Sequence, residues 1–461
     1  MSRSLEQTRA SAPARSNLAS DTNDYWLELD RRHRLQSRHT HPICLTRGEG
    51  AWLWDVADNK YLDFESGQIC ASVGHSNPDY IKAVKEQLDR LVQTGSCYID
   101  ATQVRFQEKL AGTTGGHFQQ SFLACSGSES NEAALRLAKI YTGRSEIVSF
   151  MGNYHGHTFG AWSVTGFGDK ARAGFGPPMQ GVTFLPTPFD YATPGEARFA
   201  WRDEAVIDAC VRFCERMLDS TTSGKPAAIV VELLQSAAGV RTLPKSFLKA
   251  IRRICDERGA LMIADEAQTG VGRLGSWWGF EHLGVVPDVI TASKTLGGGA
   301  PLSAMLVSSK LGEEAISRGY RQSSSHTGDP LLCAAGLATL EIIERDGLLN
   351  NVCTLGAYLK LQMQKLCDAS PVGGEMRGEG FLMGLELVRS KETGEPNAAA
   401  TKVFTEECRK RGLLTGWWPV PYLATNIVRL MPPYTLTRAE ADEALSIIED
   451  ALKVTGRTGT I

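Results

Sequence analysis

The fold of this chain is decided by Ala260-Leu-Met-Ile-Ala-Asp265-Glu-Ala-Gln268-Thr-Gly270 and by Asp288-Val-Ile-Thr-Ala-Ser293-Lys294. Both segments open with a short apolar run, which is typical of a strand buried on both faces of a parallel sheet. The first run leads to Asp265 and the second to Lys294. Because the carboxyl ends of parallel strands meet at one edge of a sheet, both side chains are predicted to emerge there, where α/β proteins bind ligands.

The same alternation of apolar strands and helices extends outward over the middle of the chain. Strands are predicted at 146–150, 227–234, 260–267 and 288–293, and helices at 78–93, 126–141 and 246–258. A helix between successive strands implies crossover connections and therefore parallel strands. The pattern predicts an α/β protein whose large domain, residues 70–330, has a mostly parallel mixed sheet flanked by helices.

The two ends of the chain have a different pattern. Beyond Pro330, helices are predicted at 331–345, 355–366 and 438–454 and a strand at 381–388, which indicates a smaller α+β domain over residues 331–461. Residues 25–69 contain a hairpin-like alternation at 50–55 and 61–64, and this part is expected to pack with the small domain. Residues 1–24, rich in Ser and Ala, are expected to form a disordered leader.

Composition excludes several classes of function. The net charge of -3, without a basic stretch, argues against nucleic-acid binding, and no apolar run approaches the ~18–20 residues that span a bilayer. Eleven cysteines are scattered without zinc-site spacing, which is typical of reduced thiols in a cytoplasmic protein. Arginines in the leader keep mitochondrial targeting open as an alternative.

Asp265 and Lys294 together fit the chemistry of pyridoxal phosphate (PLP). A lysine condenses with the aldehyde of PLP, and a carboxylate holds the pyridine nitrogen protonated so that the ring accepts electrons. Taken singly, an aspartate at a strand end is more often a loop cap, and a lysine before glycines is usually a surface residue. The pair at the ends of neighbouring strands is much harder to explain in those ways.

A phosphate site is predicted where Ser126-Gly127-Ser128 opens a helix. Ser126 and Glu129 fit a capping box, and a helix N-terminus with free backbone N–H groups binds phosphate. A plain helix N-cap is the alternative explanation. The glycines do not follow G-x-G-x-x-G, so a dinucleotide site is not indicated.

Five motifs in order, from Gly74-His-Ser-Asn-Pro78 to Ser293-Lys294, carry a family resemblance. Between them lie Ser126-Gly-Ser-Glu-Ser-Asn131, Tyr154-His-Gly156 and Asp265-Glu-Ala-Gln268-Thr-Gly-Val-Gly-Arg273. From about residue 25 to 455 the chain resembles the class III, fold-type I, PLP-dependent aminotransferases.

The resemblance implies a role for each matched residue. Lys294 would hold PLP covalently, Asp265 would contact the pyridine nitrogen, Gln268 the ring hydroxyl and Tyr154 the ring face. Gly127 and Ser128 would hold the phosphate. In this family a Ser or Thr of the neighbouring subunit completes the phosphate site, and Ser325 fits that position. A homodimer with shared active sites is therefore implied, and association of two dimers stays open.

The reaction type depends on Gln68 and Arg429. The run Ser66-Gly67-Gln68 resembles the 2,2-dialkylglycine decarboxylase branch, whose glutamine holds the departing carboxylate, and Arg429 matches the family arginine that receives a substrate carboxylate. The resemblance implies a decarboxylating transaminase. It would convert a 2,2-disubstituted amino acid to CO₂ and a ketone and pass the amino group to a 2-oxo acid such as pyruvate, with Lys294 moving the proton.

Two other functions remain open. In an ordinary class III aminotransferase without decarboxylation, Gln68 would be an incidental loop residue and Arg429 would still bind a carboxylate. In a catalytically silent PLP-fold binding subunit, Asp265 and Gln268 would have no physical purpose.

The decarboxylase branch also implies an alkali-cation site near the dimer interface. The matching positions are Thr94, Ser96, Ser325, Thr327 and Asp329. Hard oxygen ligands of this kind suit K⁺ or Na⁺, although loops rich in Ser and Thr are common without a cation.

Overall fold

A computed structural model describes residues 22–35, 41–168, 174, 176–191, 199–417 and 424–458 of the chain. Residues 1–21 of the predicted leader lie outside these ranges. Within the described part of the leader, a helix begins at Asn23 because the Thr22 side chain accepts a hydrogen bond from the backbone N–H of Tyr25.

Helices and strands alternate through most of the described ranges. The helices are α1 Asn23–His33, α2 Pro78–Leu88, α3 Ala101–Gly112, α4 Gly127–Thr142, α5 Phe159–Ser163, α6 Pro188–Tyr191, α7 Glu204–Thr221, α8 Lys245–Arg258, α9 Gly279–Leu283, α10 Ser309–Ser317, α11 Pro330–Arg345, α12 Leu348–Ala369, α13 Ala398–Lys410 and α14 Arg438–Thr458. The strands are β1 Leu45–Glu49, β2 Trp52–Asp55, β3 Lys60–Phe64, β4 Gln120–Ala124, β5 Ile147–Phe150, β6 Val182–Leu185, β7 Ala228–Val231, β8 Leu234–Gln235, β9 Arg241–Thr242, β10 Leu261–Asp265, β11 Val289–Ala292, β12 Ser303–Val307, β13 Gly373–Glu379, β14 Leu382–Leu387, β15 Leu413–Thr415 and β16 Ile427–Leu430.

A sheet in the order β4-β12-β11-β10-β7-β5-β6 forms the centre of the molecule. The pairs among β6, β5, β7, β10 and β11 are parallel, whereas β12 runs antiparallel to both β11 and β4. The connection from Ala292 to Ser303 is too short to carry a crossover helix, so β12 must return beside β11. The predicted mixed α/β sheet flanked by helices is confirmed.

Helices cover both faces of this sheet. Ala133, Ala134, Leu137 and Ala138 of α4 pack with Val230, Ile263 and Val289 on one face. On the other face, Phe247, Ile251 and Ile254 of α8 pack with Val231, Met262 and Ile290. Successive residues of each central strand are therefore buried on opposite sides, which explains the continuous apolar runs in the sequence.

Two smaller sheets flank the large one. The strands β13, β14 and β16 form an antiparallel sheet, in which Arg429 of β16 lies opposite Gly384 of β14. The strands β1, β2 and β3 form an antiparallel meander, and β3 also pairs in parallel with β15. The strands β1, β2 and β3 from the beginning of the chain therefore share a sheet with β15, which lies within the last fifty residues.

The cysteines and the long helices bear on two further features of the chain. All eleven cysteines are free thiols. No helix in the described ranges is both long enough and apolar enough to cross a membrane.

Candidate active site

The carboxyl ends of β10 and β11 open into a cavity of about 450 Å³. Asp265 is the last residue of β10 and is paired with Thr291 of β11, while Lys294 follows β11 by two residues. Both side chains line this cavity. The remaining predicted residues that line it are Gln68, Gly127, Ser128, Tyr154, Gln268 and Arg429.

Asp265 is held as a carboxylate by its buried neighbours. Its Oδ2 accepts a hydrogen bond from Asn131 Nδ2 at 2.7 Å and lies 2.8 Å from His155 Nδ1. Burial raises the pKa of Asp265, but the hydrogen bond and charge of His155, the charge of Lys294 and the bond from Asn131 outweigh burial and leave the pKa lowered. A negative charge is thus maintained at the sheet edge.

Lys294 is a buried amine with a strained backbone. Burial lowers the pKa of its ammonium group, and the charges of Asp265, Cys70 and Glu232 oppose that change only in part. Its φ of 52° lies in the left-handed region, which a non-glycine residue occupies at a cost. Lys294 forms no ion pair with a described residue, so its amine is available to react.

The predicted helix start is confirmed at the opposite wall. Ser126 Oγ accepts a hydrogen bond from Glu129 N at 3.4 Å and donates one to Glu129 Oε2 at 2.8 Å, and α4 begins at Gly127. A Cβ added at Gly127 would meet Ser293 Oγ at 2.8 Å. The backbone of this turn therefore approaches the cavity at a point where a side chain has no room.

Tyr154 and Glu232 line the cavity side by side and are joined by a hydrogen bond. The ring of Tyr154 stacks on Phe167 with centroids 5.5 Å apart, and its backbone N–H donates to Glu232 Oε1 at 2.5 Å. Burial and the negative charge of Asp265 raise the pKa of Glu232 to about 8. Glu232 is therefore a carboxyl group that is protonated near neutral pH and faces the same cavity as Lys294.

Gln68 and Arg429 reach the cavity from outside the large sheet. Gln68 lies in a short turn, Ser66–Ile69, and its own φ is 59°. Arg429 projects from β16 and forms no ion pair with a described residue. Burial lowers the pKa of its guanidinium, while Glu65 and Glu232 oppose that change through their charges. A buried guanidinium without a carboxylate is a suitable receptor for a carboxylate ligand.

These residues fit the PLP that the sequence predicts. Gln268 Oε1 is buried and has no hydrogen-bond partner among the described residues, as expected of an acceptor reserved for a ring hydroxyl. Because Gly127 has no side chain, a phosphate can lie close to the backbone N–H groups at the α4 N-terminus. Lys294 and the Asp265 carboxylate supply the reactive amine and the partner of a pyridinium.

Ser325 and the predicted cation ligands lie elsewhere. Ser325 is not among the described residues that line the cavity of its own chain. Its carbonyl accepts a hydrogen bond from Gln93 Nε2 at 2.9 Å, which brings the 93–96 and 325–329 stretches near each other. Asp329 Oδ2 lies 2.7 Å from His326 Nδ1. The alkali-cation site at Thr94, Ser96, Ser325, Thr327 and Asp329 stays a prediction.

Three residues at the site were not assigned a role from the sequence: Asn131, His155 and Glu232. Asn131 and His155 lie inside the motifs that carry the family resemblance, yet their contact with Asp265 spans 134 and 110 positions of sequence. Glu232 lies inside the strand predicted at 227–234 and directly follows β7 in the structure, so a carboxylate at the end of a buried apolar run was the available signal. The signal in each case was a polar residue at a strand end or in a motif.

The chain is similar to proteins of known family along nearly its whole length. The family model for class-III aminotransferases matches residues 35–452. An acetylornithine aminotransferase of Caldanaerobacter subterraneus is 32% identical over 432 residues, covering 92% of this chain and 98% of the relative. A leucine/methionine racemase of Thermococcus litoralis is 33% identical over 420 residues, covering 90% of this chain and 92% of the relative.

Solved structures agree with the fold. The (S)-enantioselective omega-transaminase of Thermomicrobium roseum superposes with a TM-score of 0.85 at 28% identity, covering 94% of this chain and 98% of that one.

Proposed function

The chain belongs to the class III aminotransferase family and uses PLP, and from that premise we propose that it moves an amino group from a carboxylate-bearing amino acid to a 2-oxo acid. The observation that carries the proposal is the buried Lys294 amine in one cavity with the Asp265 carboxylate and the unpaired Arg429 guanidinium. When bound, PLP supplies the electron sink that lets a bond at the substrate α-carbon break.

The chain's own groups hold PLP and move the proton. Lys294 is the attachment point, Asp265 keeps the ring nitrogen protonated, and Gln268 binds the ring hydroxyl. Tyr154 covers the ring, and Gly127 and Ser128 hold the phosphate. Burial lowers the pKa of Lys294, which favours the neutral amine, and its Nζ takes the proton from the substrate carbon that bears the amino group.

Substrate selection rests on Arg429. Its guanidinium can bind the substrate carboxylate through two parallel N–H groups, and the raised pKa of Glu232, about 8, limits the negative charge that would compete for Arg429. The acetylornithine aminotransferase among the relatives makes N-acetylornithine the first amino donor to test. Because another relative is a leucine/methionine racemase, leucine and methionine are the next amino donors to test.

Decarboxylation is the second candidate, and it is favoured by one observation. Gln68 lines the cavity with Lys294 and Arg429, so its amide is positioned to contact a substrate carboxylate. Decarboxylation is the first expectation from the sequence, through the resemblance to the dialkylglycine decarboxylases. The similar proteins are aminotransferases and a racemase, so ordinary aminotransfer is the better supported function.

A homodimer completes the proposal. A patch on and after α2 exposes apolar side chains next to the Ser325 stretch, with Tyr98 73% and Ile99 89% exposed. A patch of this kind is typical of a protein interface. In the proposed dimer, Ser325 of one subunit reaches the phosphate of the other, which would explain why it is absent from its own cavity.

Mixed dimers provide the test of shared sites. Lys294→Ala and Ser325→Asp proteins are each expected to be inactive, but a hybrid dimer contains one intact site. Mixing them after subunit exchange should restore about a quarter of wild-type activity, because random pairing gives half hybrids with one good site each. No recovery, with hybrid formation verified by mass, would contradict shared sites.

Single-turnover assays with each amino donor separate the candidate reactions. Loss of the PLP absorption band with formation of the carbonyl product, an aldehyde from N-acetylornithine or a 2-oxo acid from a donor with a free α-amino group, without CO₂, supports ordinary aminotransfer. CO₂ and acetone from 2-aminoisobutyrate support the decarboxylase, and Gln68→Ala should then lose decarboxylation while keeping aminotransfer. Interconversion of L- and D-leucine without a 2-oxo acid would replace both with racemisation.

A further inference from the structure

The turn that carries Gln68 has an unusual backbone. Ser66, Gly67, Gln68 and Ile69 have φ values of 50°, 58°, 59° and 72°, so four consecutive residues are left-handed. Only glycine adopts this conformation freely, and each other residue pays about 1–2 kcal/mol. Three of the four residues are not glycine. A turn of this kind persists only if contacts from the surrounding structure hold it in place.

The end of the turn is held at one carbonyl. Ile69 O lies 3.0 Å from Ser72 Oγ and 2.9 Å from Thr295 Oγ1, and the two hydroxyl oxygens lie 2.8 Å from each other. Thr295 directly follows Lys294 in the chain. This oxygen triangle, Ile69 O with the hydroxyls of Ser72 and Thr295, therefore joins the Gln68 turn to the segment that carries the reactive amine.

A count of protons shows that the two hydroxyls can replace each other as the donor to Ile69 O. The triangle has three contacts but only two hydroxyl protons, so one contact always lacks a proton. Ser72 can donate to Ile69 O and Thr295 to Ser72, Thr295 can donate to Ile69 O and Ser72 to Thr295, or both hydroxyls can donate to Ile69 O. In every arrangement Ile69 O accepts at least one hydrogen bond, and either hydroxyl alone can provide it.

Ser72 also accepts a hydrogen bond from the guanidinium of Arg273, which Thr295 does not. Arg273 is fully buried and forms no ion pair with a described residue. Its Nη2 donates to Ser72 Oγ at 2.6 Å, its Nη1 to Pro432 O at 2.8 Å, and its guanidinium lies 4.5 Å from the Tyr434 ring centroid. Removing the Ser72 hydroxyl leaves a buried cationic donor unpaired, whereas removing the Thr295 hydroxyl does not.

We propose that Ser72, clamped by Arg273, is a positioning residue that keeps the left-handed turn in place and thereby keeps Gln68 facing Lys294 and Arg429. The clamp also fixes the substrate arginine, since Pro432 lies three residues after Arg429 on the same segment. Thr295 is the reserve donor to Ile69 O. The kinetic consequences rest on the proposed aminotransfer, but the conformational ones do not.

Four variants separate this role from general stability. Ser72→Ala should lower kcat/KM for amino donors about tenfold, because an unpaired donor at a charged group costs on that order. Thr295→Val should lower it less than about threefold, and the double variant more than the product of the two, because the variants share one acceptor. Thr401→Val is the control, since its buried hydroxyl likewise bonds a carbonyl, Asn397 O, at 2.8 Å, but in α13.

Hydrogen exchange of the apoprotein gives a readout independent of activity. The amides of Ile69 and Ala71 bond Glu65 O and Ser66 O at 3.0 and 2.9 Å within the turn. Peptides covering residues 64–72 should exchange at least about tenfold faster in Ser72→Ala and faster still in the double variant, with peptides of β10 unchanged. PLP affinity should stay within about twofold of wild type, since the clamp does not contact the phosphate site.

The possible results are distinguishable. Exchange and kcat/KM of Ser72→Ala equal to those of Thr401→Val would overturn the proposal. Faster exchange in a protein without aminotransferase activity would support the clamp and refute the proposed function. If Ser72→Ala does not fold, Arg273→Lys, which keeps the charge but has one nitrogen in place of the two that bond Ser72 and Pro432, must show the same exchange pattern or the proposal fails.

Discussion

His155 Nδ1 lies 2.8 Å from Asp265 Oδ2, and both side chains are buried at the carboxyl edge of the central sheet. Asn131 donates to the same oxygen, and Thr291 Oγ1 donates to Asn131 Oδ1 at 2.8 Å. This chain of bonds fixes the direction of the carboxylate and stabilises its charge. The chemistry assigned to Lys294 depends on that charge, because it keeps the cofactor ring an electron acceptor.

Replacing Asp265 by Asn should lower the single-turnover rate about 10²-fold or more while PLP still binds. Asn has nearly the same shape as Asp, but it lacks the negative charge that Asp265 presents to the cofactor ring. Asp288→Asn is the matched control, since Asp288 accepts Met262 N at 2.7 Å at the opposite end of the sheet. Stopped-flow absorbance measures the rate. Equal losses in both variants would contradict the role given to Asp265.

Gly127→Ala should weaken PLP binding about tenfold or more, because the new Cβ would lie 2.8 Å from Ser293 Oγ. The same clash predicts that a second substitution, Ser293→Ala, should relieve it. In a Ser293→Ala background the nearest side-chain atom would be the Ser293 Cβ position at 3.5 Å, an ordinary contact. PLP titration of the apoprotein should therefore show recovery in the double variant, and a double variant as weak as Gly127→Ala would refute the packing argument.

Replacing Arg429 by Gln should raise KM for a carboxylate-bearing amino donor about 10²-fold, because a buried charge-assisted pair is lost. A primary amine without a carboxylate should be affected less than about threefold, since it has no group for Arg429 to bind. Steady-state kinetics with both donors on one enzyme preparation provide the comparison. A similar change for both donors would place Arg429 outside substrate recognition.

Glu232 should make stability fall as pH rises. Burial and the charge of Asp265 raise its folded pKa to about 8, well above the ordinary value of a glutamate, so the folded state binds the proton more tightly than the unfolded state. This contribution to stability is fully present below the unfolded pKa and is lost as pH rises through about 8.

Glu232→Gln isolates that effect, because the amide oxygen can still accept the hydrogen bond from Tyr154 N. The free energy of unfolding of the two apoproteins should be similar near pH 6, and at pH 9 the variant should be the more stable one. Urea unfolding at the two pH values measures the difference. A stability difference between the two proteins that does not change from pH 6 to pH 9 would mean that Glu232 is already ionised in the folded protein and that its pKa is not raised.

Local signals in the sequence were sufficient for most elements. The helix predicted at 126–141 is α4, Gly127–Thr142, because its start is fixed by neighbouring residues: Ser126 Oγ accepts from Glu129 N and donates to the Glu129 carboxylate. The predicted strands agree in place with β5, β7, β10 and β11. The helix predicted at 355–366 is longer, Leu348–Ala369, because its first turn begins at Gly347 rather than at a polar cap.

Contacts between distant residues explain what the sequence did not predict. The left-handed turn at Ser66–Ile69 contacts Thr295 and Met431, which lie 226 and 365 positions from their partners in the turn. No local pattern encodes such a contact, and the sequence itself favours a plain polar loop. The same reason applies to the contact of His155 with Asp265.

The central claim is that Lys294 holds PLP, and covalent trapping tests it most directly. The holoprotein is reduced with borohydride, digested, and analysed by mass spectrometry for the lysine that carries the cofactor. Reduced pyridoxyl phosphate is expected on Lys294 alone, with no adduct in Lys294→Ala. An adduct on another lysine of the wild-type protein would contradict the assignment of Lys294.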